Sequence, residues 1–260
     1  MAATAFAPGS VTTLFVPQDG AASLGVSFAT ADGVTATVEA APETVVMLDG
    51  ERTEVAPVSG VLARLDATAT VGLTSDLPIG CGFGVSGAAT LATALAANEA
   101  LHLGRTRETL LQASHQAEVE AGTGLGDVFI QERGGLVWDV GNGLQHAQRT
   151  ARIEYASFGE IATADVLADA DAMNRVVEAG THALAAVDPA GPFADLFAVS
   201  WTFATRVGFP TEAVRAAVND VHAAGGAATM AMIGDTVVAT GTDGILPHAT
   251  RITPRGATLR

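Results

Sequence analysis

The chain has 260 residues, room for one large domain or two small ones at the usual size of about 100–200 residues per domain, and either size buries a real core. It carries 28 acidic residues against 13 arginines and no lysine, a formal net charge of −15, so no basic patch offers itself to nucleic acid or to an anionic lipid surface. The single cysteine, Cys81, makes an internal disulfide impossible and fits a reducing compartment. The first residues lack the basic region and long apolar run of a signal peptide. The Ala-rich stretch after Ser86 is broken by Thr90, Thr93, Asn98 and Glu99, which argues against a membrane span. A soluble, cytoplasmic protein is expected.

In chain order, Ala5 to Phe15 reads as a strand-and-turn start containing Ala7-Pro8-Gly9-Ser10. Ser23-Leu24-Gly25 reads as a turn, leading through Phe28 into Val34–Glu39, which alternates apolar and polar residues as a half-buried strand does. Thr44–Leu48 is a strand closed by an Asp49-Gly50 turn. Val61–Leu65 suits a strand or a short helix, and Thr68–Leu73 is a strand that delivers the chain to a glycine-rich loop.

That loop runs Asp76-Leu77-Pro78-Ile79-Gly80-Cys81-Gly82-Phe83-Gly84-Val85-Ser86-Gly87 directly into an Ala/Leu-rich helix ending at Gly104. Glycines allow close backbone approach, and the first N–H groups of a helix have no internal partner, so such a loop is a natural phosphate cradle. A P-loop and a protein kinase both need a lysine on the phosphates, which this chain lacks. A dinucleotide fingerprint fits Gly80-x-Gly82-x-Gly84 only loosely, because Glu99 falls within the helical pattern rather than at a strand end. Cys81 inside the loop reads as a small apolar filler more readily than as a reactive thiol.

A second helix is expected from the N-cap Thr106, with Glu108 in its first turn, to Ala121. His115 and Glu118 lie three apart on it and share a face. Next comes Gly122-Thr123-Gly124-Leu125-Gly126-Asp127, a turn ending in an acid at the mouth of an expected strand, Val128–Gln131. This strand would form a hairpin through Gly134-Gly135 with Leu136–Val140. The polar run from Gly141 to Arg152 marks a boundary between domains 1–150 and 151–260. Beyond it the pattern gives a strand at Ile153–Phe158, helices at 162–187, Phe193–Val207 and from Glu212 to about Gly225, and a last hairpin turning at Gly234-Asp235 into Thr236–Thr240.

The loop from Pro78 to Ala88 resembles, position by position, the Pro-x-Gly-x-Gly-x-Gly-x-Ser-Gly/Ser-Ala loop of the GHMP kinases, with Phe83 for the usual Leu and Gly87 for the usual second Ser. Ala7-Pro8-Gly9 resembles the first motif of that family, although Ser10 stands where a basic residue usually follows. Gly225 to Asp235 resembles the third. The Gly-Thr-Gly-Leu-Gly-Asp form of the middle segment resembles the archaeal pantoate kinases of that family, and the acid-rich, lysine-free composition resembles that of proteins from salt-loving archaea. The resemblance implies an α+β fold of two domains, one like ribosomal protein S5 domain 2 with a left-handed βαβ crossover, the other ferredoxin-like. It implies ATP and Mg²⁺, a small-molecule substrate (pantoate), no nucleic acid or membrane partner, and a homodimer. Pro78, Gly80, Gly82, Phe83, Gly84, Val85, Ser86 and Gly87 would wrap the nucleotide; Ser86 and Glu118 (or Glu120) would hold the metal. Asp127 would act on the attacking hydroxyl, with His115 and Ser23 on the substrate; Arg133 and Arg175 are further carboxylate candidates by charge alone. A sibling kinase acting on homoserine or mevalonate, or a nucleotide-binding regulator on the same scaffold, stands as the alternative.

Overall fold

In a computed structural model the described residues are 1–18, 23–124, 126–161 and 169–260. They form two sheets with helices packed against them. The larger sheet is built on β1 (Ala3–Pro17) and β2 (Ser23–Ala40), antiparallel to each other along most of their length. β3 (Val45–Leu48), β4 (Glu51–Thr53) and β5 (Ala69–Ser75) extend it on the β2 side, with β5 against β2 and β3 parallel to β5 through the helix α1 (Ala56–Arg64). β6 (Leu136–Asp139) pairs with the other end of β2, and β7 (Gln145–Ala147) with β6. The smaller sheet contains β8 (Arg152–Gly159), β9 (Ala227–Met230), β10 (Asp235–Thr240) and β11 (His248–Arg251) in the order β11-β8-β10-β9. The last strand, β12 (Thr258–Leu259), returns to pair with β1.

Helix α2 (Val85–Ala100) is buried nearly all round, which is why its sequence is apolar on every face. Helix α3 (Arg107–Ala121) begins as its caps require: the Thr106 side chain accepts the Thr109 N–H, and Gly122 ends it at φ 69. Helices α5 (Ala170–Ala186), α6 (Phe193–Val207) and α7 (Glu212–Ala223) belong to the second half, following the short α4 described below. Phe28 stacks on Phe197 and Phe15 meets Phe203 edge-on, each pair with ring centroids 6.3 Å apart, so aromatic contacts join the large sheet to α6. Residues 162–168 of the expected helix 162–187 lie outside the described residues.

Several expectations need correction. Val128–Gln131 is not a strand: Asp127–Arg133 is helix α4, and Leu136–Asp139 pairs with β2 and β7 instead. A four-residue apolar run cannot be assigned by periodicity alone. Here the buried residues, Val128 and Gln131, lie three apart and face α2, and the glycine turn before Asp127 supplies the helix start. The Ala-Pro-Gly segment is not a turn but lies within β1, at a register shift between Pro8 and Ser10 where proline's missing N–H costs no ladder bond. Ser23 likewise starts a continuous strand rather than a turn. Val61–Leu65 resolves in favour of helix, within α1 and its C-cap.

Candidate active site

The glycine loop lies where the two sheets meet. Gly80, Gly82 and Gly84 have φ of 73, 82 and 58, backbone that side chains other than glycine rarely adopt. The Ser10 amide donates to the Phe83 carbonyl at 2.8 Å, and the Ile161 amide donates to the Gly80 carbonyl at 3.1 Å. A Cβ on Gly9 would stand 2.3 Å from the Leu77 side chain and 3.0 Å from the Phe83 carbonyl oxygen, and a Cβ on Gly234 would stand 2.3 Å from the Cys81 carbonyl oxygen. Glycine is needed at both places because the loop presses on β1 from one side and on the β9–β10 turn from the other. Cys81 is buried with its thiol toward the carbonyls of Ile79 and Gly159, and burial pushes its pKa up, as suits a filler rather than a nucleophile.

Among the described residues, no amide from Gly80 to Gly87 donates to another residue. Those at the N-terminus of α2 are among the orphan donors of a helix start, aimed as a phosphate cradle requires. The loop opens on a cavity of about 540 Å³ that is also lined by Ser23, His115, Asp127, Trp138 and Met232. Pro78 and Gly87 do not line it. Ile233, also in the lining, has φ 59, a strained value for a β-branched residue and a mark of a constrained site.

Behind the loop, α3 presents Glu118, 3% exposed. Its Oε1 accepts from the Ser86 hydroxyl at 2.9 Å and the Thr90 hydroxyl at 2.6 Å, and its Oε2 accepts from the Thr123 hydroxyl at 2.8 Å. Burial pushes the carboxyl above the usual range, against the pull of those three hydroxyls, and the neighbouring Asp127 adds to the rise. Glu120 points to the outside, where it pairs with Arg64. Asp127 is the first residue of α4 and opens onto the cavity. Protein nonetheless surrounds its carboxylate: burial pushes its pKa up, and the Ser10 hydroxyl, donating at 2.7 Å, pulls it back. Gly124 lies between the two acids, a Cβ there standing 3.2 Å from Oε2 of Glu118 and 3.5 Å from Oδ2 of Asp127.

His115 lies 4.9 Å from the Phe129 ring, and its Nδ1 is buried without a partner among the described residues. Burial lowers its pKa, so at neutral pH it is an uncharged imidazole. Arg133 and Arg175 do not reach the site; they bond to the carbonyls of Phe129 and Val207. Among the described residues no arginine lines the cavity. Ser10, Thr90, Thr123, Gly124 and Gln131 went unassigned in the sequence. Thr90 was the most accessible of them, one helical turn from Ser86 on the same face.

Residues 55–135, from α1 through α4, match the family model described as GHMP kinases N terminal domain. Over this stretch the chain is similar to the GHMP kinases. It is 27% identical over 256 residues to the pantoate kinase of Methanospirillum hungatei, covering 92% of this chain and 87% of that one. It is 28% identical over 170 residues to the pantoate kinase of Methanocaldococcus jannaschii, covering 63% of this chain and 62% of that one. A solved structure described as a phosphotransferase related to the CoA biosynthesis pathway superposes with a TM-score of 0.87 at 22% identity, covering 100% and 99% of the two chains. The GHMP kinase fold, α+β in two sheets, is therefore the architecture that holds this site.

Proposed function

We propose that the chain is a pantoate kinase, transferring the γ-phosphoryl group of ATP to (R)-pantoate to give (R)-4-phosphopantoate on the archaeal route to coenzyme A. The convergence of Ser86, Glu118 and Asp127 beside a loop of free amides carries the reading, together with the two relatives of that name. Phosphoryl transfer is largely positioning and charge neutralisation. The free amides from Gly80 to Gly87 bind phosphate oxygens. Asp127 accepts the proton of the attacking hydroxyl, help of a kind worth about 10²–10⁴-fold.

The donor set fits Mg²⁺, which takes few protein carboxylates and keeps waters: a hydroxyl and a carboxylate, Ser86 and Glu118, stand 2.9 Å apart at the helix start. Bound there, the ion would supply charge neutralisation to the phosphates, more than usual in a site with no lysine and, among the described residues, no lining arginine. His115 and Ser23 hold the acceptor; with its unpartnered Nδ1 carrying the proton, His115 serves as a neutral donor to the pantoate carboxylate. We read the chain as two units, 1–150 and 151–260, with β12 returning to pair with β1. A cytoplasmic homodimer without nucleic-acid or membrane partners completes the reading; among the described residues no helix is long and apolar enough to cross a membrane.

ADP release with ATP and Mg²⁺ in high-KCl buffer, comparing (R)-pantoate, homoserine and mevalonate, tests this. Turnover on pantoate alone supports the assignment. Turnover on another alcohol moves the protein to a sibling pathway. ATP binding without turnover on any of them makes it a regulator.

A further inference from the structure

A directed chain of hydrogen bonds ends on Asp127. The side-chain amide nitrogen of Gln131 lies 2.7 Å from the Gly84 carbonyl oxygen, which can only accept, so the nitrogen and not the oxygen faces that way. The same nitrogen lies 3.1 Å from Ser10 Oγ and donates to it. A hydroxyl has one proton. With Gln131 donating to its oxygen, the proton of Ser10 goes to Asp127 Oδ1, 2.7 Å away. Ser10 is 1% exposed and Gln131 is fully buried, so water does not compete for these bonds. Gln131 Oε1 is buried with no partner among the described residues, a costly arrangement for a side chain serving only to pack. Gly84 is also fitted to the chain: a Cβ there would stand 2.1 Å from Ser10 Oγ.

We propose that Ser10 and Gln131 are positioning residues that reserve Oδ1 of Asp127 as an acceptor and leave Oδ2 to take the substrate's proton. Oδ2 is the oxygen over Gly124, on the side of Glu118. In the transfer, the acceptor O–H bond breaks and its proton goes to Oδ2. The oxygen's electron pair forms the new bond to the γ-phosphorus, and the bond to ADP breaks with its pair leaving on ADP. Because Gln131 also holds the Gly84 carbonyl, the chain ties the geometry of the base to that of the phosphate loop. This inference rests on Asp127 acting as the base in the proposed reaction.

The test is a double-mutant cycle on Ser10→Ala and Asp127→Asn, with the acceptor that the wild type turns over and with melting temperatures recorded for every variant. Losing a hydrogen bond to a charged group corresponds to about a ten- to hundredfold loss, so Ser10→Ala should lower kcat by that factor with both KM values within about twofold. In the Asp127→Asn background the same change should cost less than about threefold, because the partner it positions is already gone. Gln131→Met, similar in volume but without the donor, should lower kcat in the same direction at unchanged KM for the acceptor, and it decides the matter if Ser10→Ala does not fold. A kcat within twofold of wild type for Ser10→Ala, a change confined to KM, or equal losses in both backgrounds overturns the proposal. Near-wild-type turnover by Asp127→Asn instead overturns the assignment of the base itself.

Discussion

At the scale of single residues the site is built on two carboxylates, Glu118 buried and Asp127 half-buried at the cavity wall. Glu118 and Asp127 both have pKa values raised by burial. A carboxyl with a folded pKa above its unfolded one binds its proton more tightly when folded. The folded state therefore gains stability as pH falls through the folded pKa, and carries a penalty above it. Asp127→Asn removes one such buried charge. We expect it to raise the melting temperature at pH 7 while lowering kcat by about 10²–10⁴-fold, a trade that calorimetry and ADP release on one preparation would reveal. The acid limb of kcat/KM should sit above the ordinary carboxylate range of about 4, since the base must be ionised to act; a pH–rate profile at saturating metal checks this. His115→Ala should raise the KM for the carboxylate-bearing acceptor by about tenfold or more and leave that for ATP unchanged, if the cavity-lining imidazole binds the acceptor as proposed.

At the scale of elements, the short helix α4 is the part whose placement depends most on distant chain. Its seven residues would not persist alone. The C-terminal segment holds it: the Ala257 amide donates to the Gln131 carbonyl at 2.9 Å, the Gly135 amide donates to the Thr253 carbonyl at 2.6 Å, and Arg107 bridges Glu132 to the Ala257 carbonyl. Deleting residues 255–260 should therefore lower kcat and make the 127–133 amides exchange faster, a result that hydrogen exchange would localise. Glu154 does comparable work in the second sheet. It is 1% exposed and accepts from the amides of Gly244, Ile245 (3.2 Å) and Leu246 (3.3 Å) and from the Thr242 hydroxyl (3.0 Å). Glu154→Ala leaves those donors without partners, and denaturant unfolding should show a loss of about 2–4 kcal/mol with little change in KM.

At the scale of the whole molecule, a net charge of −15 with no lysine makes the folded chain repel itself. Salt screens such repulsion, the Debye length falling from about 10 Å at 0.1 M to about 3 Å at 1 M. The melting temperature should rise steadily with KCl over that range; a flat response would mean that the acids are arranged so as not to repel. The same scarcity of cations reaches the cavity, where no arginine lines the described wall. In the proposed reading, anionic substrates are thus left to backbone amides, hydroxyls and metal.

The sequence by itself determined those features that depend on local chemistry. Glycines with an adjoining apolar helix mark a positive-φ loop feeding a helix start, Thr106 and Gly122 bracket α3, and Asp49-Gly50 marks a hairpin, because capping, positive φ and the helical repeat all act within a few residues. His115 and Glu118 share a face for the same reason. Only the tertiary structure places Glu118 rather than Glu120 beside Ser86, since the partners that separate them, Ser86, Thr90 and Thr123 for one and Arg64 for the other, come from elsewhere in the chain. It alone made Asp127–Arg133 a helix, because burial against α2 overrode a short β-like run. It alone brought Ser10 to Asp127 across 117 residues of sequence. Nothing in the composition of either segment records that meeting, because it is produced by the closure of β1 and α4 around a shared core.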